Sequence, residues 1–153
     1  MTERNTPPKG GSMDEIRYVA DRIALMDVML RYAKGCDQRD LDLYASVFAE
    51  DVEIIGFTDE VVRGRDNWVP WVRERLEDFD ATQHMLAPQL ATIDGDNAHC
   101  RTDVQALHYL KGAPNNRTLT LWATYNTDMK RIDREWKIVR HELERRGVRI
   151  QED

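Results

Sequence analysis

The chain has 153 residues, enough for one domain around a single core and too few for two comfortable ones. Charged residues make up 33% and hydrophobic ones 41%, the balance of a soluble globular protein, and a net charge of -6 argues against nucleic acid or an anionic membrane as partner. No apolar run reaches the length of a membrane span and no charged-then-apolar signal peptide opens the chain. Cys36 and Cys100 form neither a disulfide framework nor a zinc pattern, so two reduced thiols and a cytoplasmic location are expected.

In chain order, residues 1–12 are polar and rich in Pro and Gly and read as a disordered leader. From Met13, the apolar residues Ile16, Val19, Ala20, Ile23, Met26, Leu30 and Ala33 recur at spacings of three and four, which predicts an amphipathic helix ending near Gly35. Residues 40–51 read as a second helix with Leu43, Val47 and Phe48 inward, and Asp40 is its natural N-cap. Residues 52–57 and 60–64 read as a strand and its edge partner. A third helix is expected from an Asp66 N-cap through Trp68, Val69, Val72, Leu76 and Phe79, with Pro70 tolerated in its first turn. The remainder reads as strand: 84–94, a turn at Asp94-Gly95-Asp96, 97–110, a loop over 111–117, 118–132 and 135–145. Helices first and an antiparallel meander afterwards mean an α+β fold, three N-terminal helices packed on one face of a strongly curved, mostly antiparallel sheet. The domain is expected over 13–146, with 147–153 as a C-terminal tail.

Pro88 lies inside an expected strand, which makes it the place for a bulge. With Gly95 and Asp96 as loop residues, strict pairing sets His84 opposite Leu107 and turns His108 to the other face. One extra residue at Pro88 sets His84 opposite Ala106 instead and makes His108 its diagonal neighbour, roughly 7–8 Å away. A lone strand histidine is usually a hydrogen-bonded core residue. His99 and His141 are left in that class, His141 because it lies near the charged C-terminal stretch. Asp37 stands just past Gly35, where the helix dipole disfavours a carboxylate, so an acid there needs a partner such as an imidazole.

These residues carry a resemblance. The segments "LMDVMLRYAKGCDQRDLDLYASVFAEDVEI", "TQHML" followed by "IDGDNA", and "LWATYNTDMKRIDREWKIVRHEL" together resemble the SnoaL-like branch of the nuclear-transport-factor-2-like (NTF2-like) superfamily, a cone-shaped α+β fold. Around the Asp and His the chain is similar to lyases of the scytalone dehydratase, bile acid 7α-dehydratase and hexachlorocyclohexane dehydrochlorinase types. The resemblance implies that His84 is a general base oriented by Asp37, that His108 is a second site histidine, and that Tyr32 occupies the position of a catalytic tyrosine. It also places Cys36, Gly56, Ala123 and Tyr125 where scytalone dehydratase carries other polar residues, which argues against that substrate. Dimers and trimers both occur in such families, so a homo-oligomer is expected.

A neutral imidazole, with an unperturbed pKa of about 6.5, suits proton abstraction at neutral pH. With no cofactor motif, no phosphate loop and no metal set, proton-transfer chemistry on a small-molecule substrate is expected without a cofactor: elimination, dehydration or C–C cleavage. Tyr32, Tyr125 and His108 are candidate acids, and Trp68, Trp71, Trp122, Leu86, Val104 and Phe57, with Tyr125, are the expected substrate-binding wall. Two alternatives stay open: a polyketide-cyclase or ketosteroid-isomerase-like enzyme, and a non-catalytic ligand-binding or association domain.

Overall fold

Helix α1 (Ser12–Asp37) opens the computed structural model, which describes residues 11–112 and 117–151. Of the leader expected over 1–12, residues 1–10 lie outside the described residues, while Gly11 is the N-cap of α1 and Ser12 its first residue. The helix passes through Gly35 rather than ending there. A Cβ on Gly35 would sit 2.7 Å from the Tyr44 backbone nitrogen, so the glycine serves a close helix crossing and not a stop. The expected inward stripe is also corrected. Ile16, Val19, Ile23 and Leu30 are exposed, and the buried face is Leu25, Val28, Met29, Tyr32, Ala33 and Cys36. Both faces carry apolar residues at helical spacing, and periodicity alone does not say which one meets the sheet.

Helix α2 (Leu41–Ser46) is capped by Asp40, whose side chain accepts from the Leu43 amide at 3.0 Å. It is shorter than expected, because Phe48 already opens β1 (Phe48–Ile55). After the two-residue β2 (Val62–Arg63), α3 (Arg65–Leu76) starts from Gly64, so Asp66 is a first-turn residue and not the cap. Pro70 lies beyond the first turn and costs the Asp66 carbonyl its helical partner. Both residues are exposed, so water can take that place. Phe79 belongs to the next strand and not to this helix.

The sheet has seven strands in the order β2-β1-β7-β6-β5-β3. Its remaining members are β3 (Phe79–Leu86), β4 (Leu90–Asp94), β5 (Asn97–Leu110), β6 (Thr118–Ile132) and β7 (Glu135–Ile150). Strand β4 pairs with β5 in tandem with β3. Every pairing is antiparallel except β1 on β7, which is parallel. Asp133 and Arg134 both adopt positive φ between β6 and β7, the backbone of a type I′ turn built without glycine. Strand β7 continues past Arg146, with Gly147 opposite Trp122 and Ile150 opposite Leu119, so residues 147–150 are sheet and not tail.

The register of β3 and β4 decides what the concave face displays. His84 pairs with Ala106 and Leu86 with Val104, whereas Leu90 pairs with Arg101 and Asp94 with Asn97. One extra residue therefore lies on the 87–89 side, at Ala87-Pro88-Gln89, and His84 and His108 share a face. The helices cover that face, and the core beneath them includes Leu25, Met29, Tyr44, Phe48, Trp68, Tyr125, Met129 and Ile138.

Candidate active site

The last residue of α1 meets the middle of β3. The Asp37 carboxylate contacts His84 Nδ1 at 2.7 Å through Oδ1 and accepts the His84 backbone N–H at 2.8 Å through Oδ2. Thr82 Oγ1 donates to Asp37 Oδ1 at 3.0 Å. Burial alone would raise the Asp37 carboxyl, but the hydrogen bonds from His84 and Thr82 outweigh it and hold the pKa below the usual value. An ionised carboxylate on Nδ1 keeps the ring proton there and leaves Nε2 as a lone pair on the opposite side of the ring.

Arg39, one residue past the cap of α1 and in the left-handed region at φ 59, holds this arrangement from behind. Its guanidinium donates to Thr82 Oγ1 and the Cys36 carbonyl, each at 2.9 Å, and to the Phe79 carbonyl at 3.3 Å. It thus ties the end of α1 to the start of β3. Sequence reasoning missed Arg39, because the pattern "GCDQRDL" shows neither its turn geometry nor its partners. A cleft of about 340 Å³ shares Arg39 and Phe79 with this frame and is also lined by Leu41, Arg73, Leu76, Glu77 and Lys111.

His108 lies beside His84, ring centroid to ring centroid 6.0 Å. Its Nδ1 is 3.3 Å from the Leu119 carbonyl, and Phe79 packs on its ring at 4.7 Å. Burial, followed by the proximity of His84, lowers its pKa, so it is neutral at pH 7. Tyr32 is buried on the other side, its ring edge-on to His84 at 6.4 Å and to Tyr125 at 5.5 Å. Tyr44 packs on the Tyr32 ring at 5.0 Å, and its hydroxyl accepts from Trp68 Nε1 at 3.0 Å. Burial first, then the neighbouring Tyr125, push Tyr32 well above the ordinary phenol value, so it remains a proton-bearing group.

The expected wall divides. Leu86 and Val104 form one cross-strand pair on the concave face, and Tyr125 is buried among Tyr32, Phe57 and His141. Phe57 reaches that cluster because Gly56, at φ 83, lets β1 end against the Leu143 carbonyl, where a Cβ would collide. Trp68 is a core residue whose indole N–H is spent on Tyr44, and Trp71 stacks on it at 5.0 Å. Trp122 is corrected: it pairs with Gln105 on the convex face and is 38% exposed, because strand alternation sends Leu121 and Ala123 inward instead.

His141, expected from the sequence among the hydrogen-bonded core histidines, is such a residue. It is fully buried in β7, stacked on Phe57 at 5.4 Å and packed on Tyr32 and Tyr125 at 5.1 and 4.7 Å. Its Nδ1 contacts Thr127 Oγ1 at 2.9 Å, and its Nε2 has no protein partner. Burial pushes its pKa down to about 3. The buried positions Trp136, Ile138, His141 and Leu143 share its inward face, although a register shift opposite Asp128 and Met129 breaks the strict alternation. His99 pairs with Asp128 at 2.6 Å on the exposed side of the sheet, away from the site. Among the described residues no group of three or more His, Cys, Asp or Glu gathers as a metal site, and no helix is long and apolar enough to cross a membrane.

An uncharacterized protein of Mycobacterium tuberculosis, Rv2910c, is 27% identical over 136 residues, covering 84% of this chain and 88% of the relative. A proposed scytalone dehydratase from Novosphingobium aromaticivorans superposes with a TM-score of 0.80 at 20% identity, over 89% of this chain and 91% of that one. A hexachlorocyclohexane dehydrochlorinase, LinA-type3 from Novosphingobium barchaimii, does so with a TM-score of 0.78 at 19% identity, over 90% and 94%. At these identities the likeness is one of fold. Residues 17–142 match the SnoaL-like domain family, and with that match across most of its length the chain belongs to this family, on the NTF2-like α+β fold.

Proposed function

We propose that the protein is a cofactor-independent lyase that eliminates water, halide or a carbon fragment from a small, largely apolar cyclic substrate, with His84 as general base. The observation that carries this reading is the Asp37–His84 contact at 2.7 Å, reinforced by the second carboxylate oxygen on the His84 amide. A carboxylate held at both oxygens fixes the tautomer and stabilises the imidazolium as it forms. His84 Nε2 takes a proton from a carbon next to the leaving group. The C–H electron pair becomes the new double bond, and water or halide departs with its own bonding pair; where a carbon fragment is lost, Nε2 takes the proton of a hydroxyl instead, the O–H pair becomes the new C=O, and the C–C pair passes to the other carbon, which takes up the proton. A leaving hydroxyl needs a proton, and of the buried tyrosines that keep one at neutral pH, Tyr32 packs on the His84 ring. His108, neutral and 6.0 Å from His84, is suited to hydrogen-bonding the substrate rather than to carrying a proton. Support also comes from two structures of the same fold, whose names, dehydratase and dehydrochlorinase, denote eliminations.

The test is a panel of hydroxylated and halogenated cyclic compounds, read by mass spectrometry for loss of water or hydrogen halide and by NMR in D₂O for C–H exchange. Elimination that falls by about 10²–10⁴-fold in His84→Ala is the expected result. Exchange or double-bond migration without loss of a group points instead to isomerase chemistry at the same base. Turnover that survives His84→Ala overturns the mechanism.

A further inference from the structure

The cleft beside Arg39 measures about 340 Å³, and none of Tyr32, Asp37, His84 or His108 lines it. That volume suits a compact ligand of one or two rings. Its floor is apolar: Leu41 from the first turn of α2, Leu76 from the end of α3 and Phe79 from the start of β3. Its rim is cationic. Arg39, Arg73 and Lys111 stand against one carboxylate, Glu77, in a chain whose net charge is -6. Arg73, Glu77 and Lys111 are exposed, and among the described residues none of these three side chains makes an ion pair or a hydrogen bond, so Glu77 does not neutralise Arg73 one turn away. Asp78 and Asp80 follow in the chain, but neither lines the cleft, and the Asp80 carboxylate accepts the Gly112 amide at 3.2 Å. Arg39 is firmly held at one end only. Its Nη1 donates to the Cys36 carbonyl and Thr82 Oγ1 at 2.9 Å, whereas Nη2 reaches the Leu76 and Phe79 carbonyls at 3.5 and 3.3 Å. Leu76 and Phe79 both line the cleft, so the loosely held Nη2 is the end that an anion there can recruit.

We propose that this cleft is a second binding site, separate from the dyad, for an oxyanion on a compact apolar stem, an aryl or alicyclic carboxylate or phosphate ester, with Arg39, Arg73 and Lys111 as its charge partners. The apolar body covers Leu41, Leu76 and Phe79, and the oxyanion draws on the three cations. The two sites share Arg39, which donates to Thr82 as Thr82 donates to Asp37, so an occupant is felt at the frame that holds His84.

Calorimetric titration of the full chain with naphthoate, naphthyl phosphate and the neutral naphthamide tests this. The expected result is one site per chain for at least one of the two oxyanions, with the amide roughly tenfold weaker and with Kd rising with salt. Whichever oxyanion binds more tightly names the group. Arg73→Glu and Lys111→Glu, both at exposed positions, should each raise Kd about three- to tenfold with an unchanged circular dichroism spectrum. Arg75→Glu, on the same helix but outside the cleft, should leave Kd nearly unchanged, and so should His84→Ala. In ¹H–¹⁵N spectra the Leu76, Phe79 and Thr82 amides should move together as the oxyanion is added. No binding of either oxyanion, equal affinity for the amide, an equal loss in Arg75→Glu, binding that His84→Ala abolishes, or a Thr82 amide that stays still at saturation would each overturn the proposal.

Discussion

His141 makes stability depend on acidity in a way the sequence does not announce. The ring is buried without charge and its pKa is pushed down to about 3, whereas an unfolded histidine titrates near 6.5. Between those values the unfolded chain binds a proton that the folded chain refuses. Stability is therefore complete above about pH 6.5 and falls as pH drops through that value toward 3. His108, lowered by burial, adds in the same direction. The His141 contribution down to pH 5, before most carboxylates titrate, comes to about 2 kcal/mol. Urea denaturation at pH 7 and pH 5 should show the loss, and His141→Leu should flatten it; an unchanged slope in the variant would sink the argument. Thr82 offers a second test at this scale. It donates to Asp37 and accepts from Arg39, so Thr82→Val loosens the carboxylate without touching the base. Under the proposed mechanism kcat should fall roughly tenfold with KM nearly constant, the pattern of an interaction made in the transition state. Arg39 was invisible in the sequence because its value lies in a left-handed turn and cross-element bonds, and Thr82 was legible only as part of the TQHML segment, not as the carboxylate's donor. Asp37 and His84 were legible because an acid at a helix C-terminus and a histidine in a strand both break local preference.

Gly35 sets the relation of α1 to α2. Alanine there would gain about 1 kcal/mol of helix propensity, yet its Cβ would lie 2.7–2.8 Å from the Tyr44 backbone and Cβ. Overpacking of that kind costs roughly 1–3 kcal/mol, and here the obstacle is backbone, so the net effect of Gly35→Ala should be destabilising, with a lower Tm. A Tm equal to or above wild type would show that α2 yields. The same position explains one misreading. Glycine near the end of a periodic run usually marks a C-cap, and only the neighbouring helix shows that this one marks a crossing. The strands were easier. Alternation over 97–110 and the Asp94-Gly95-Asp96 turn fixed the β4–β5 pairing, and Pro88 marked the register break. The parallel seating of β1 on β7 was not legible, because no local pattern distinguishes a strand paired far along the chain from one paired nearby.

At the scale of the whole molecule, helices on one face and a long meander were enough to name the architecture, while the face that α1 turns to the sheet was not. That parallel pair now has a consequence in time. Strands β5, β6 and β7 are neighbours in sequence and zip through short connections, whereas Ile54 must find His141. Loop closure makes such distant pairings late. Asp37 and His84, 47 residues apart, come together only when α1 settles on β3, and α1 is anchored through α2 to β1. The meander should therefore form first as a sheet without a working dyad. In a refolding jump, far-UV circular dichroism should recover most of its amplitude in an early phase, with turnover returning in a slower one. Coincident recovery of the two signals would mean that the chain acquires its sheet and its chemistry in one step.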